Sequence, residues 1–227
     1  MRRIAIYVEG DAELIFVREF LIKWYEYDSE RLGLECCKLH AGREDVESYP
    51  YGTRKSENFY YIVNVGNDAS VMSKMLKNAE RLHNLGYQLL IGLRDMYCDD
   101  YHDNTQKINN ARIVDIAIIE RFKKTANEII ANAGYKIEMQ LHYAIMEIEA
   151  WLIGMSEILN KDIDPENDFY HPSKMMTFHF PKKLDKYDKH HSEIEKVMSE
   201  FTKEDFQKLI DSGICASFSS FARSTVF

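Results

Sequence analysis

The chain has 227 residues, with 37 acidic against 29 basic side chains and a formal net charge of −8. Its 45% hydrophobic content, including 14 Tyr and 12 Phe, supplies a core and excludes a disordered chain, while only 10 Gly and 4 Pro exclude fibrous and low-complexity classes. The acidic balance excludes a globally basic nucleic-acid binder but not a local basic surface. The N-terminal run MRRIAIYVEGDAELIF is broken by Glu9, Asp11 and Glu13 too early for a secretory core. No stretch approaches the roughly 18 uncharged apolar residues of a membrane span. Cys36, Cys37, Cys98 and Cys215 show no CxxC spacing, so they read as reduced cysteines of a cytoplasmic protein.

In chain order, residues 3–8 form a short buried strand stopped by Gly10, and Asp11 caps a helix over 13–25 with Leu14, Val17, Leu21, Trp24 and Tyr25 at helical spacing. A strand follows at 34–40 and a polar surface loop at 41–57. Residues 58–65 (NFYYIVNV) are a strand, and 71–85 a helix with Met72, Met75, Leu76, Ala79 and Leu82 on one face, stopped by Gly86. Residues 88–93 (QLLIGL) are a strand ending at Arg94-Asp95, and 95–110 an acidic loop holding Asp95, Asp99, Asp100 and Asp103. A helix over 111–133 has Ile113, Ile116, Ile119 and Phe122 on its core face; 135–143 alternates as a strand, and 146–159 is a helix. Residues 160–190 are irregular, with short helices at about 192–201 and 203–212. The alternation of strands and helices predicts an α/β fold: a mostly parallel sheet with helices on both faces and a small, mostly helical C-terminal extension. The expected division is 1–159 and 160–227, the second part packed on the first. No GxGxxG or GxxxxGK[ST] is present, which argues against an autonomous nucleotide site.

Ligands in open α/β sheets bind beyond the carboxyl ends of strands. Glu9 and Asp95 close the first and fourth strands, and Glu147 and Glu149 follow the strand that ends near 143. Carboxylates arriving from separate strand ends suit a hard cation such as Mg²⁺, and with it phosphoryl or phosphodiester chemistry. The same acids also fit ordinary helix starts, where the dipole favours negative charge. His179, His190 and His191 lack zinc-ligand spacing, and no GxSxG is present.

The ordered set Val8-Glu9-Gly10-Asp11-Ala12-Glu13 (VEGxxE), an apolar strand ending in Asp95, and Glu147-Ile148-Glu149-Ala150-Trp151-Leu152 (ExEAWL) resembles the TOPRIM-like proteins. It resembles more closely the small prokaryotic TOPRIM-like family encoded beside ATPases and related to the nuclease half of the OLD (overcoming lysogenisation defect) proteins. The tail Cys215-Ala216-Ser217-Phe218 also matches, and the resemblance covers roughly residues 1–160 plus the tail. Glu9 matches the family's invariant acid and Asp95 the first Asp of its DxD pair; Tyr97 stands where the second Asp falls, leaving Asp99, Asp100 or Glu149 as substitutes.

The resemblance implies a TOPRIM-like (Rossmann-like) fold and a nuclease using Mg²⁺ or Mn²⁺ on DNA or RNA, in an ATPase-linked, phage-defence-like system. Glu9, Asp95 and Glu149 would be its catalytic residues. These three, with Glu147, Glu13 and Asp99, would hold the metal. Residues 171–191 carry Lys174, Lys182, Lys183, Lys186 and Lys189 with four His against two Asp. This is either a phosphate-binding surface or a solvated basic loop. The alternative is a non-catalytic TOPRIM-like partner that binds or regulates an ATPase. The altered DxD pair favours it, as do Tyr49, Tyr51, Phe59, Tyr60 and Tyr61 if exposed. A primase-like transferase is a weaker third reading. No membrane partner is expected, and homo-oligomerisation is left open.

Overall fold

The computed structural model describes residues 1–40, 43–46, 51–105, 107–108, 111–160 and 162–227. The chain opens with β1 (Arg2–Val8), α1 (Asp11–Trp24), β2 (Leu32–His40), β3 (Arg43–Val46), β4 (Asn58–Asn64), α2 (Ser70–Asn84) and β5 (Leu89–Asp95). Then come α3 (Asp99–Asn104), β6 (Lys107–Ile108), β7 (Ala111–Arg112), α4 (Ile116–Ala133) and β8 (Glu138–Ala144). The C-terminal part is helical: α5 (Glu149–Gly154), α6 (Pro165–Asp168), a 3₁₀ turn at Pro172–Met175, α7 (Met176–His179), α8 (His191–Met198), α9 (Lys203–Ser212) and α10 (Ala216–Val226). The fold is α/β and Rossmann-like: β2, β4, β1, β5 and β8 form a parallel sheet in that order, and β3 adds an antiparallel edge beside β2. Val8 lies beside both Asn64 and Leu93, so β1, β4 and β5 reach their carboxyl ends together.

The chain forms two compact units, Met1–Arg94 with Thr125–His142, and Asp95–Lys124 with Tyr143–Phe227. In the first unit the central strands are apolar without a break because both faces are covered. One face places Ala5, Tyr7, Phe59, Tyr61 and Val63 against Val71, Met75, Ala79 and Leu82 of α2. Gly92 permits this approach, since a Cβ there would lie 2.4 Å from the Met75 sulfur. The alternate residues face α1, where the Tyr25 and Tyr60 hydroxyls hydrogen-bond at 2.8 Å. Gly86, at φ +83, ends α2 in the left-handed region.

The second unit is built on aromatic packing. Trp151 of α5 is fully buried, 5.4 Å from the Phe218 ring and 5.6 Å from Phe221, both of α10. Its indole N–H donates to Glu166 Oε1 at 3.1 Å and to Ser217 Oγ at 2.7 Å. α9 starts with a Thr202/Asp205 capping box and stops at Gly213, φ +69.

Several expectations change. The polar stretch 41–57 contains β3, and Tyr51 pairs with Leu34 as an isolated bridge. The acidic loop 95–110 contains α3 and β6, which pairs antiparallel with β7. The long helix starts at Ile116 rather than 111, so Ile113 and Ile116 are exposed while Ile119 is buried. The helix expected over 146–159 is confined to Glu149–Gly154. Gly10, not Asp11, occupies the N-cap of α1. Residues 162–227 share a unit with 95–124 and 143–160, so the compact units do not divide at residue 160. Phe59, Tyr60 and Tyr61 are core residues, which removes them as an exposed partner surface; Tyr49 lies outside the described residues. All four cysteines are free and buried, and no helix among the described residues is long and apolar enough to cross a membrane.

Candidate functional site

Three of the expected acids meet in the second unit, and the local chain explains how. Asp95 is the last residue of β5. The backbone beyond it continues the pairing with the end of β8, through Met96 N to Ala144 O and Tyr97 N to Met146 O, each 2.8 Å. Met146 then turns at φ +62, a conformation that costs a long side chain strain and persists where its surroundings fix it. The turn delivers Glu147, Ile148 and Glu149 at the start of α5. Asp95 Oδ1 accepts the Ile148 N–H at 3.0 Å, so one oxygen of the strand-end carboxylate caps the new helix. Glu147 is held from the other side by Ser173, whose N–H reaches Oε2 at 2.9 Å and whose hydroxyl reaches Oε1 at 3.1 Å. Glu149 Oε1 accepts the Tyr187 hydroxyl at 2.7 Å, and its Oε2 is buried without a hydrogen-bond partner.

The three carboxylates are 4%, 6% and 0% exposed at Asp95, Glu147 and Glu149. They converge on one point, marked by the ammonium of Lys189. Its Nζ lies 3.7 Å from Asp95 Oδ2, 3.0 Å from Glu147 Oε1 and 3.5 Å from Glu149 Oε1. Burial works against the lysine's charge, but Glu149, Asp95 and Glu147 outweigh it and hold the amine well above the ordinary lysine range. For Glu147, burial pushes the carboxyl up, and Lys189 with the Ser173 bonds overcomes it, leaving the group below its ordinary value. For Glu149, burial dominates and the neighbouring Glu147 charge adds to it, so the carboxyl is raised despite Lys189 and Tyr187. One ammonium thus faces three buried acids in an all-oxygen donor set, the kind of set that suits Mg²⁺ or Mn²⁺.

Glu9, half-buried just past β1, and Glu13, buried in the first turn of α1, belong to the first unit. There Asp11 takes Lys38 Nζ at 2.8 Å and Asn64 Nδ2 at 2.5 Å. Asp99 and Asp100 are exposed at the start of α3. Tyr97, in the position of the second Asp, packs its ring edge-on against Tyr170 at 5.7 Å and His171 at 5.0 Å.

The basic stretch divides. Lys174 and Lys182 are exposed, Lys183 pairs with Glu200 at 2.5 Å, and Lys186 pairs with Asp188 at 2.8 Å on the surface. Lys189, expected to face phosphates, instead joins the three acids. Sequence reasoning missed Lys189, Tyr187 and Ser173 as parts of the acidic site, and Lys38 and Asn64 beside Asp11. Lys38, a charge inside the apolar strand run Cys36-Cys37-Lys38-Leu39, carried a usable signal; Ser173 carried none.

The fold and this donor set define an α/β protein with a buried acid–lysine cluster at strand ends. No family model matches the chain, and neither a curated protein nor a solved structure matches it.

Proposed function

We propose that the protein is a divalent-metal-dependent phosphodiester hydrolase acting on DNA or RNA, working in the cytoplasm with an ATPase encoded nearby. The convergence of Asp95, Glu147 and Glu149 on a single cation position carries this reading. The unpartnered Glu149 Oε2 supports it further, because a fully buried carboxylate oxygen without a donor is suited to a metal. Asp95, Glu147 and Glu149 would hold Mg²⁺ or Mn²⁺, and the bound cation would stabilise negative charge on a phosphate. Ser173 and Tyr187 orient two of those carboxylates. Lys174 and Lys182 remain the exposed lysines for a phosphate backbone. Glu9 and Glu13 take their metal-binding roles from the TOPRIM-like resemblance, and the ATPase and phage-defence setting rests on it alone.

Purified protein with Mn²⁺ is expected to nick plasmid DNA or cleave RNA, and Asp95→Ala and Glu9→Ala to abolish the cleavage. Cleavage that survives Asp95→Ala defeats the proposed site. A second reading, a non-catalytic subunit that regulates an ATPase, is favoured by Lys189, whose ammonium fills the cation position. Under that reading no metal supports cleavage, and the purified chain instead changes the hydrolysis rate of the ATPase encoded beside it.

A further inference from the structure

The second unit puts a lysine where the proposed function needs a divalent cation. With all groups ionised, one ammonium among Asp95, Glu147 and Glu149 leaves two formal negative charges in excess. Glu149 Oε2 is buried with no hydrogen-bond partner, so the lysine satisfies this network incompletely. The shortfall is in positive charge and in ligands for oxygen, and a divalent cation supplies both.

The chain around Lys189 is suited to an exchange. Residues 185–190 form no helix or strand. Lys189 itself adopts φ +59, in the left-handed region that a long side chain enters only when held there. Its neighbours alternate in direction. Tyr187 donates to Glu149, whereas the N–H groups of Asp188 and His190 donate to Glu193 Oε2 at 2.8 and 3.2 Å. Glu193, in the first turn of α8, therefore anchors the strap from behind while Tyr187 and Lys189 reach into the acids. The Lys189 side chain is 39% exposed, which gives the amine a route to water without unfolding the unit.

Resting on the metal-dependent reading above, we propose that Lys189 is a built-in stand-in for the divalent cation. The strap at 186–190 seats its ammonium among Asp95, Glu147 and Glu149, and cation entry sends the lysine out to the surface. The displaced amine then faces solvent beside the site, where a substrate phosphate can meet it. Lys189 thereby sets the concentration at which metal enters, because every binding event has to remove an ammonium already held by the same three carboxylates.

Two measurements on the full chain test this. Mn²⁺ binding is followed by the electron paramagnetic resonance signal of the free ion for the parent protein, Lys189→Met and Asp95→Asn. Lys189→Met is expected to bind Mn²⁺ at least about tenfold more tightly, since the competing charge is gone, and Asp95→Asn to lose binding. In the parent protein, an acylating reagent with peptide mass spectrometry reads the exposure of each amine. Lys189 is expected to be labelled several-fold faster with saturating Mn²⁺ than without it, while Lys186 is unchanged. Equal affinities for the parent and Lys189→Met, or Lys189 labelling that does not respond to saturating Mn²⁺, overturns the stand-in and leaves the metal site in place. If neither protein binds Mn²⁺, both the stand-in and the metal reading fall. The labelling arm needs no variant, so a Lys189→Met chain that fails to fold still leaves a decisive result.

Discussion

Each unit places acids and a lysine at strand ends, and the two clusters handle charge differently. In the first, Asp11 meets Lys38 and Asn64, with side chains 30% exposed at Asp11 and 41% at Lys38. Water reaches both ions, and the pair behaves as a surface pair. In the second, three carboxylates at most 6% exposed share one ammonium. The Lys189 side chain is 39% exposed, much like Lys38, but the carboxylates it faces are shut off from water. The imbalance therefore appears as displaced proton affinities: Glu147 down, Glu149 up, and the lysine well above its usual range. The contrast teaches that burial and stoichiometry, more than the presence of an ion pair, separate a structural contact from a site under electrostatic tension.

The comparison breaks most visibly at Lys189. Lys189→Met removes the one cation from three buried acids, and is expected to cost about 2–4 kcal/mol in urea unfolding without metal. The lower part of that range allows for the partial exposure of the lysine. A cost under about 1 kcal/mol would put Lys189 in the same class as Lys38 and end the distinction between the two clusters.

Next come the two glutamates, which should respond to pH in opposite directions. Burial raises Glu149 above its ordinary 4.5, so the folded state favours its protonated form. Its contribution is full below 4.5 and is lost as pH rises through the raised value. Glu149→Gln keeps an acceptor for Tyr187 and drops the charge. The variant should therefore be more stable than the parent by about 1 kcal/mol at neutral pH, an advantage that shrinks toward acid. For Glu147, burial raises the carboxyl, but Lys189 and Ser173 prevail and the group ends below 4.5. Its stabilisation is present above 4.5 and is lost as pH falls through the lowered value. Glu147→Gln should therefore be destabilising at neutral pH, by about 1 kcal/mol, with the deficit fading in acid. Urea titrations at neutral pH, at pH 4.5 and at about pH 3 measure both, the most acid point reading the loss at Glu147, and two variants with parallel pH profiles would contradict the assignment.

Much of this was legible in the chain, and the limits have physical causes. β1, β4 and β5 are apolar runs bounded by turn formers, so local pattern locates them. The strand-end rule also singled out Asp95, Glu147 and Glu149, because those positions follow from strand ends alone. Lys189 was out of reach. It lies 40 residues beyond Glu149 in a stretch whose lysines look alike, and only tertiary folding separates it from Lys186. α10 escaped because its serines mask Phe218, Phe221, Ala222 and Thr225, which are buried at helical spacing. The late start of α5 reflects the turn at Met146 and the bonds of Glu147, neither of which hydrophobic spacing encodes.

The smallest expected effect tests the other half of the comparison. Lys38 Nζ contacts both Asp11 oxygens at 2.8 Å, geometry as good as any around Lys189. If short distance decided strength, Lys38→Met would cost as much as Lys189→Met. Asp11 keeps the Asn64 amide when the lysine is lost, and its carboxylate stays within reach of water. The cost should therefore stay below about 1 kcal/mol. A double-mutant cycle of Lys38→Met with Asp11→Asn measures the coupling directly, and it should fall toward zero in about 1 M salt, where the Debye length shrinks to about 3 Å. The matching cycle between Lys189→Met and Glu147→Gln should keep most of its coupling in the same salt, because Glu147 is out of the ions' reach. A coupling at Lys38 that resists salt as well would mean that the two clusters differ in the number of acids only, and that burial is not what sets the second apart.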